Sequence, residues 1–186
     1  MINQEQIIKE CQDGNLDEFG VLYDEYFEKI YNFIYYKTHH KESAEDLTSQ
    51  TFIKALEKIG NYSPNKGLFS SWIYRIARNK VIDYYRTRKS EKDISDVWDL
   101  KSDQDIVSDL DTREKLAEVS KYLAKLNPEQ REIVVMRVWD SLSYQEISEI
   151  IEKSEANCRM IFSRTMTKLR QEIPLALLII LLSRNI

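Results

Sequence analysis

The sequence predicts an all-α protein: two small helical domains joined by a flexible acidic linker, the second a helix-turn-helix. Three observations lead there. The 186 residues include only 4 Gly and 3 Pro, too few breakers for the many turns of a sandwich, a barrel or a doubly wound sheet. Apolar residues recur at three-and-four spacing, the period of a helix with one buried face. Charge changes sign in blocks: residues 1–65 carry 6 Lys/Arg against 12 Asp/Glu, residues 66–92 carry 8 against 2, and residues 93–111 carry 1 against 7.

Residues 4–13 read as a short helix with Ile7, Ile8 and Cys11 on one side. A second helix begins near Asp17 and carries the stripe Phe19, Leu22, Tyr23, Tyr26, Ile30, Phe33 and Ile34. A loop at Thr38–Glu42 holds both histidines, His39 and His40. Ser43 is the expected N-cap of the third helix, with Asp46 three residues on in a variant of the capping box. That helix runs from Ala44 to Ile59, burying Leu47, Phe52, Ala55, Leu56 and Ile59, and Gly60 stops it. Asn61–Gly67 (NYSPNKG) is a loop by its Pro, Gly, Asn and Ser content. Residues 68–89 form a basic fourth helix and complete a first domain, 1–89.

Residues 90–111 have no helical period and many acids, the composition of a flexible linker. The second domain, 112–172, opens with the stripe Leu116, Val119, Leu123 and Leu126. Asn127-Pro128 starts the next helix, since Asn caps and Pro fits the first turn, and Ile133, Val134, Met136 and Val138 follow. Ser143-Tyr144-Gln145-Glu146 is a capping box opening a short helix with Ile147, Ile150 and Ile151. Ser154 caps the last helix, Glu155 to Glu172. In the tail, 173–186, residues 175–182 are apolar but far too few to span a membrane. Their expected role is to cover exposed core; a docking surface is the alternative.

Composition excludes several classes. Cys11 and Cys158 stand far apart, so neither a disulfide framework nor a cysteine zinc site is expected, and a reducing cytosol fits best. The N-terminal stretch has no apolar signal segment. Two adjacent loop histidines and the absence of a Gly-rich phosphate loop leave no basis for an enzyme, a metal site or a cofactor. An isoelectric point near 5.4 would argue against nucleic acid if read alone. A polyanion meets the local field, however, and the segment 66–92 is strongly basic.

Two segments carry chemistry. On helix 68–89, Arg75, Arg78, Asn79, Ile82 and Arg86 fall on one face, interleaved with Trp72, Tyr74, Tyr84 and Tyr85, while Ile73, Ile76 and Ala77 read as core. Cations neutralise phosphates, and aromatics and Asn can hold unstacked bases. Residues 142–170 make the helix-turn-helix. On its second helix Cys158, Ile161, Phe162, Thr165 and Leu169 face inward. Asn157, Arg159, Met160, Ser163, Arg164, Thr167 and Lys168 face outward, where they can reach base edges, thymine methyls and phosphates. A solvated face of an ordinary bundle is the competing reading of each.

Four ordered stretches add a family resemblance: EFGVLYDEYFEKIYNF (18–33), ESAEDLTSQTFIKAL (42–56), FSSWIYRIARNKVIDYYR (69–86) and LNPEQREIVVMRVWDSLSYQEISEII (126–151). In motif, order and spacing the chain resembles, over residues 15–172, the extracytoplasmic-function (ECF) group of sigma-70 class RNA polymerase sigma factors. The resemblance implies that the 42–56 segment binds core polymerase through Asp46, Leu47, Ser49, Gln50 and Phe52. It implies that Asn61, Tyr62 and Lys66, beside Trp72, Arg75, Arg78, Asn79 and Arg86, recognise and help melt the minus-ten promoter element. It implies that Asn157, Arg159, Met160, Ser163, Arg164 and Lys168 read the minus-thirty-five element in the major groove. Core RNA polymerase, promoter DNA and an anti-sigma factor are the implied partners, in the cytoplasm, with no cofactor. The chain departs from the family pattern at Ser49-Gln50 and at Asn157-Cys158. It departs again at Glu152, which stands where the turn often has Gly, so a differently shaped turn is expected. The alternative is a free-standing helix-turn-helix regulator, which would not need the 42–56 and 69–86 motifs.

Overall fold

A computed structural model of the chain describes residues 4–38, 40–88, 119, 121–123, 125–174 and 177. The chain divides into two compact units, Met1–Asp93 and Ile94–Ile186. The division falls inside 90–111; that predicted linker lies outside the described residues, as do His39 and Leu116. Among the described residues every regular element is a helix.

The first unit contains α1 (Gln4–Gln12), α2 (Phe19–Thr38), α3 (Lys41–Lys58) and α4 (Phe69–Arg88), with single 3-10 turns at Leu16–Glu18, Ile59–Asn61 and Pro64–Lys66. Helix α3 packs against both α2 and α4. It can do so because the residues at those contacts are small: Ala44, Thr48, Thr51 and Ala55 have no exposed surface. The two buried threonine hydroxyls are satisfied within the helix, Thr48 donating to the Ala44 carbonyl at 2.6 Å and Thr51 to that of Leu47 at 2.7 Å. Leu22, Ile30, Phe33 and Ile34 of α2 and Ile73, Tyr74 and Ala77 of α4 fill the core, with Phe33 and Tyr74 edge to face at 5.0 Å.

Several local expectations are corrected. Ser43 is not the N-cap of α3. His40 is: its Nδ1 accepts the Ser43 N–H at 3.2 Å. The Ser43 hydroxyl instead meets the Tyr84 hydroxyl of α4 at 2.8 Å. The loop is therefore shorter than expected, and Thr38 is the buried last residue of α2. Helix α2 starts at Phe19, after a 3-10 turn, rather than near Asp17. Helix α3 itself ends at Lys58, just before Gly60 as expected, but Ile59–Asn61 add a 3-10 turn. Tyr23 is exposed rather than core, lying along the rim with its ring 4.7 Å from that of Phe52. Leu56 is only half-buried.

In the second unit residues 121–123 are helical, followed by α5 (Pro128–Val138), α6 (Tyr144–Ile151) and α7 (Glu155–Glu172). The capping box read at Ser143 with Glu146 is present, and Asn127 caps α5 as expected, with Gln130 completing a second box that the sequence reading did not include. Val119, Leu123, Leu126, Val134, Val138, Met166 and Leu169 form the core, which Ile173 and Leu177 join. The described part of the tail thus covers core; its other residues lie outside the described set. Arg131 ties the preceding segment to α5, its Nε donating to the Leu123 carbonyl at 2.8 Å and its Nη2 to that of Leu126 at 3.0 Å.

The turn between α6 and α7 keeps the glycine-type shape despite Glu152. This residue adopts φ 58° and ψ 44°, the left-handed region. That costs an L-residue about 1–2 kcal/mol. The cost is tolerated because the side chain is exposed and the Glu152 N–H still reaches the Ser148 carbonyl.

Candidate nucleic-acid interfaces

In the first unit the segment after α3 folds back against the start of α4 and leaves a cleft of about 320 Å³. One wall is the 58–67 segment, with Lys58, Asn61, Tyr62, Ser63, Lys66 and Gly67; the other is α4, with Trp72, Arg75, Ile76 and Asn79. Gly67 sits at φ 132°, a conformation suited to glycine, and there the chain reverses into α4. Tyr62 is buried, its ring against Phe69 and Trp72 at 5.5 Å each, and its hydroxyl donates to the Gly67 carbonyl at 3.1 Å. It shapes the cleft more than it presents a surface.

The chemistry of the cleft is one-sided. Lys58, Lys66 and Arg75 contribute three cations, and the lining includes no Asp or Glu. Asn61 and Asn79 supply donors and acceptors, and half-buried Trp72 supplies an aromatic face. A volume at the small end of ligand pockets suits one planar ring system, and such a setting favours an unstacked base on an anionic backbone.

Six of the eight residues expected for this site come together: Asn61, Tyr62, Lys66, Trp72, Arg75 and Asn79. Arg78 and Arg86 are not in the lining. Arg86 lies further along α4 and pairs with Asp83 at 2.8 Å. The interleaved tyrosines prove structural. Tyr74 is core, Tyr84 meets Ser43, and the Tyr85 hydroxyl donates to the Lys37 carbonyl, fastening α4 to the α2–α3 corner. Lys58, Ser63, Gly67 and Ile76 are additions. Ile76 has the spacing of a core residue, and only the fold-back of 58–67 makes it a cleft floor.

On α3 the five expected polymerase contacts split. Asp46, Ser49 and Gln50 are exposed, whereas Leu47 and Phe52 are buried and hold the helix in place. Ile53, 59% exposed, continues the open face. Beside it on α2, Tyr23 and Phe27 are also exposed, and a run of rings continues from Phe27 to Tyr31 and Tyr35 at centroid spacings of 6.3 and 6.0 Å. Ile53 breaks the helical period of the core, which is the sequence signal for its own place on this face.

In the second unit Ser154 caps α7, accepting the Asn157 N–H at 3.3 Å. Cys158, Thr165, Met166 and Leu169 are buried, and Ile161 and Phe162 are half-buried. Arg159, Met160, Ser163, Arg164 and Lys168 are exposed, while Asn157 is partly covered. Two of these have partners. Arg159 pairs with Glu155 and lies 4.9 Å over the Tyr144 ring, and Lys168 stands 4.0 Å from Glu172. The Tyr144 ring also has the Arg137 guanidinium 5.0 Å from its centre. The described residues include no group of His, Cys, Asp or Glu placed to hold a metal ion. No helix among them is long and apolar enough to cross a membrane.

Known proteins match this arrangement. Residues 22–91 match the family Sigma-70 region 2, and residues 116–169 match Sigma-70, region 4. The ECF RNA polymerase sigma factor BldN of Streptomyces coelicolor is 31% identical over 175 residues, covering 91% of this chain; the chain spans 65% of that protein's length. The ECF RNA polymerase sigma factor SigM of Bacillus subtilis is 32% identical over 150 residues, covering 80% of this chain and 91% of that protein. Among solved structures, the sigma factor RpoE of Bartonella quintana, crystallised with the anti-sigma factor NepR, shares the fold. Its TM-score is 0.67 at 22% identity, covering 83% of this chain and 95% of that one. The chain belongs to the ECF group of sigma-70 family RNA polymerase sigma factors.

Proposed function

We propose that this sigma factor binds core RNA polymerase through the open face of α3, receives an unstacked base of the minus-ten element in the cleft of the first unit, and reads the minus-thirty-five element with α7. The observation that carries the reading is the cleft, with three cations, two asparagines, one tryptophan and no acid in its lining. Base extrusion costs a few kcal/mol, so a receiving site of this kind gains from being preformed.

The division of roles follows from the same chemistry. Asp46, Ser49, Gln50 and Ile53 present a mixed polar and apolar strip suited to a protein partner. Arg159, Met160, Ser163, Arg164 and Lys168 present a basic, hydrogen-bonding strip suited to a major groove. The chain acts by binding rather than catalysis, in the cytoplasm with the polymerase. A regulator of the anti-sigma kind is its third partner, as NepR is for the Bartonella quintana protein.

The test is transcription by core polymerase supplemented with the purified chain on promoter fragments. Specific initiation above core enzyme alone is expected; none would overturn the reading. A free-standing operator-binding regulator would instead bind duplex DNA without polymerase and gain nothing from its addition.

A further inference from the structure

The loop wall of the cleft is held mostly by bonds to itself. Tyr62 N–H reaches the Ile59 carbonyl at 3.0 Å, Lys66 N–H that of Ser63 at 2.9 Å, and Gly67 N–H that of Pro64 at 3.3 Å. The Tyr62 hydroxyl closes onto Gly67. Such short-range bonds define the shape of the segment but leave its angle to α4 open. Packing of the Tyr62 ring on Phe69 and Trp72 restrains that angle, but ring contacts are not directional in the way hydrogen bonds are.

A directional tie comes from another element. The Nε2 of Gln12, at the end of α1, donates to the Ile59 carbonyl at 2.9 Å and to the Tyr62 carbonyl at 2.8 Å. A side-chain amide has two N–H groups, so both bonds form at once, and a carbonyl with two lone pairs can accept from Gln12 and Tyr62 N–H together. The two carbonyls flank Gly60 and Asn61. Gln12 therefore grips the turn from both ends and sets the direction in which Asn61 faces the cleft. Gln12 itself lines no part of the cleft and its residue is exposed.

We propose that Gln12 is a positioning residue for minus-ten recognition, so that α1 helps set promoter specificity from outside the site. The proposal rests on the reading of the cleft as the minus-ten site. Its signature follows from the range of the forces involved. Base discrimination needs aligned hydrogen bonds, which weaken steeply with angle. Attraction of Lys58, Lys66 and Arg75 for phosphates acts over a Debye length of about 8 Å and tolerates a small pivot. Freeing the turn should reduce the difference between bases more than the affinity for DNA as such.

The test uses holoenzyme formed from core polymerase and the full chain, with fluorescent fork-junction DNA. The single-stranded segment of the fork carries the minus-ten element of a transcribed promoter, each single-base variant of it, or a scrambled sequence. Gln12→Leu removes both donors without adding a charge that would repel phosphates. It should shrink the affinity ratio between best and worst bases by about 3-fold to 10-fold, the value of one well-made hydrogen bond. Binding to scrambled forks and to core polymerase should stay within about 2-fold, since no cation or polymerase contact is lost. Gln12→Lys keeps a donor and should recover part of the ratio. Should the Leu variant fold poorly, Gln12→Asn, too short to span both carbonyls, gives the same readout. The double variant Asn61→Ala/Asn79→Ala reports on the cleft itself. If the double variant flattens the ratio and Gln12→Leu matches wild type, the positioning role is wrong and the cleft reading survives. If neither flattens it, the cleft reading falls and takes the proposal with it. If Gln12→Leu lowers binding to every fork equally, its role is only structural and the proposal is overturned.

Discussion

Arg159→Ala tests whether α7 reads bases, and the structure sets the size of the effect. In the free chain the guanidinium pairs with Glu155 and lies on Tyr144, with the side chain 62% exposed. An exposed ion pair contributes about 0.2–1 kcal/mol and an exposed cation–π contact about 0.5–1 kcal/mol. Loss of the side chain should therefore cost about 1 kcal/mol of stability, a shift of about 4–8 °C in the second unit. A bidentate contact to a base is worth about 1–3 kcal/mol of discrimination. Arg159 must first leave Glu155 and Tyr144, which removes about 1 kcal/mol from that gain. The net is up to about 2 kcal/mol, or up to roughly 30-fold in affinity for the preferred site. The assay is equilibrium binding of holoenzyme to a promoter series substituted at each minus-thirty-five position. Arg159→Ala should weaken the preferred sequence by that factor, leave poor sequences unchanged and so flatten the profile. Lys168→Ala, further along the helix, should weaken all sequences alike and lower the salt slope by about one unit. An Arg159→Ala profile with wild-type rank order and spread would falsify the assignment of Arg159 as a base reader.

Three further outcomes are expected. Asp46→Arg should weaken core polymerase binding in a pull-down without altering circular dichroism, because Asp46 is exposed on α3 and surface charge changes rarely unfold a domain; wild-type capture would count against the α3 face. Glu152→Gly should stabilise the second unit by about 0.5–1 kcal/mol, the left-handed penalty less the extra chain entropy of glycine, and a lower denaturation midpoint would contradict the strain at φ 58°. Burial pushes the thiols of Cys11 and Cys158 above the ordinary cysteine value, leaving less thiolate near neutral pH. Both should resist Ellman's reagent until the protein unfolds, and rapid labelling of either in the native state would show that its helix opens.

The correspondence between sequence and structure was closest where one short stretch contains all the partners. The Asn127 cap of α5 and the Ser143–Glu146 capping box of α6 each need only four residues, and both are formed. The capped start of α7 at Ser154 is equally local. Ser43 shows the limit. Its spacing to Asp46 is that of a cap, but the hydroxyl is engaged by Tyr84, 41 residues away, and the imidazole of His40 takes over the capping. Leu47 and Phe52 belong to a motif that reads as a polymerase contact; the structure buries both, since the same helix must also hold the core.

What the sequence determined by itself is the helical class, the two-part organisation suggested by its charge blocks, and the basic stripes of α4 and α7. These depend on period, composition and short-range hydrogen bonds, all of which are properties of neighbouring residues. The full lining of the cleft is set only by the packing of its segments. Its walls come from segments whose relative angle no periodicity encodes, so Lys58 and Ile76 enter the site while Arg78 and Arg86, on the same helical stripe as Arg75, stay out of the lining. The tie from Gln12 is the extreme case. An exposed glutamine in the first helix carries no local signal, and its partners lie 47 and 50 residues away. Helical spacing places a residue on a face of its own helix, whereas a site between segments is set by how their backbones pack.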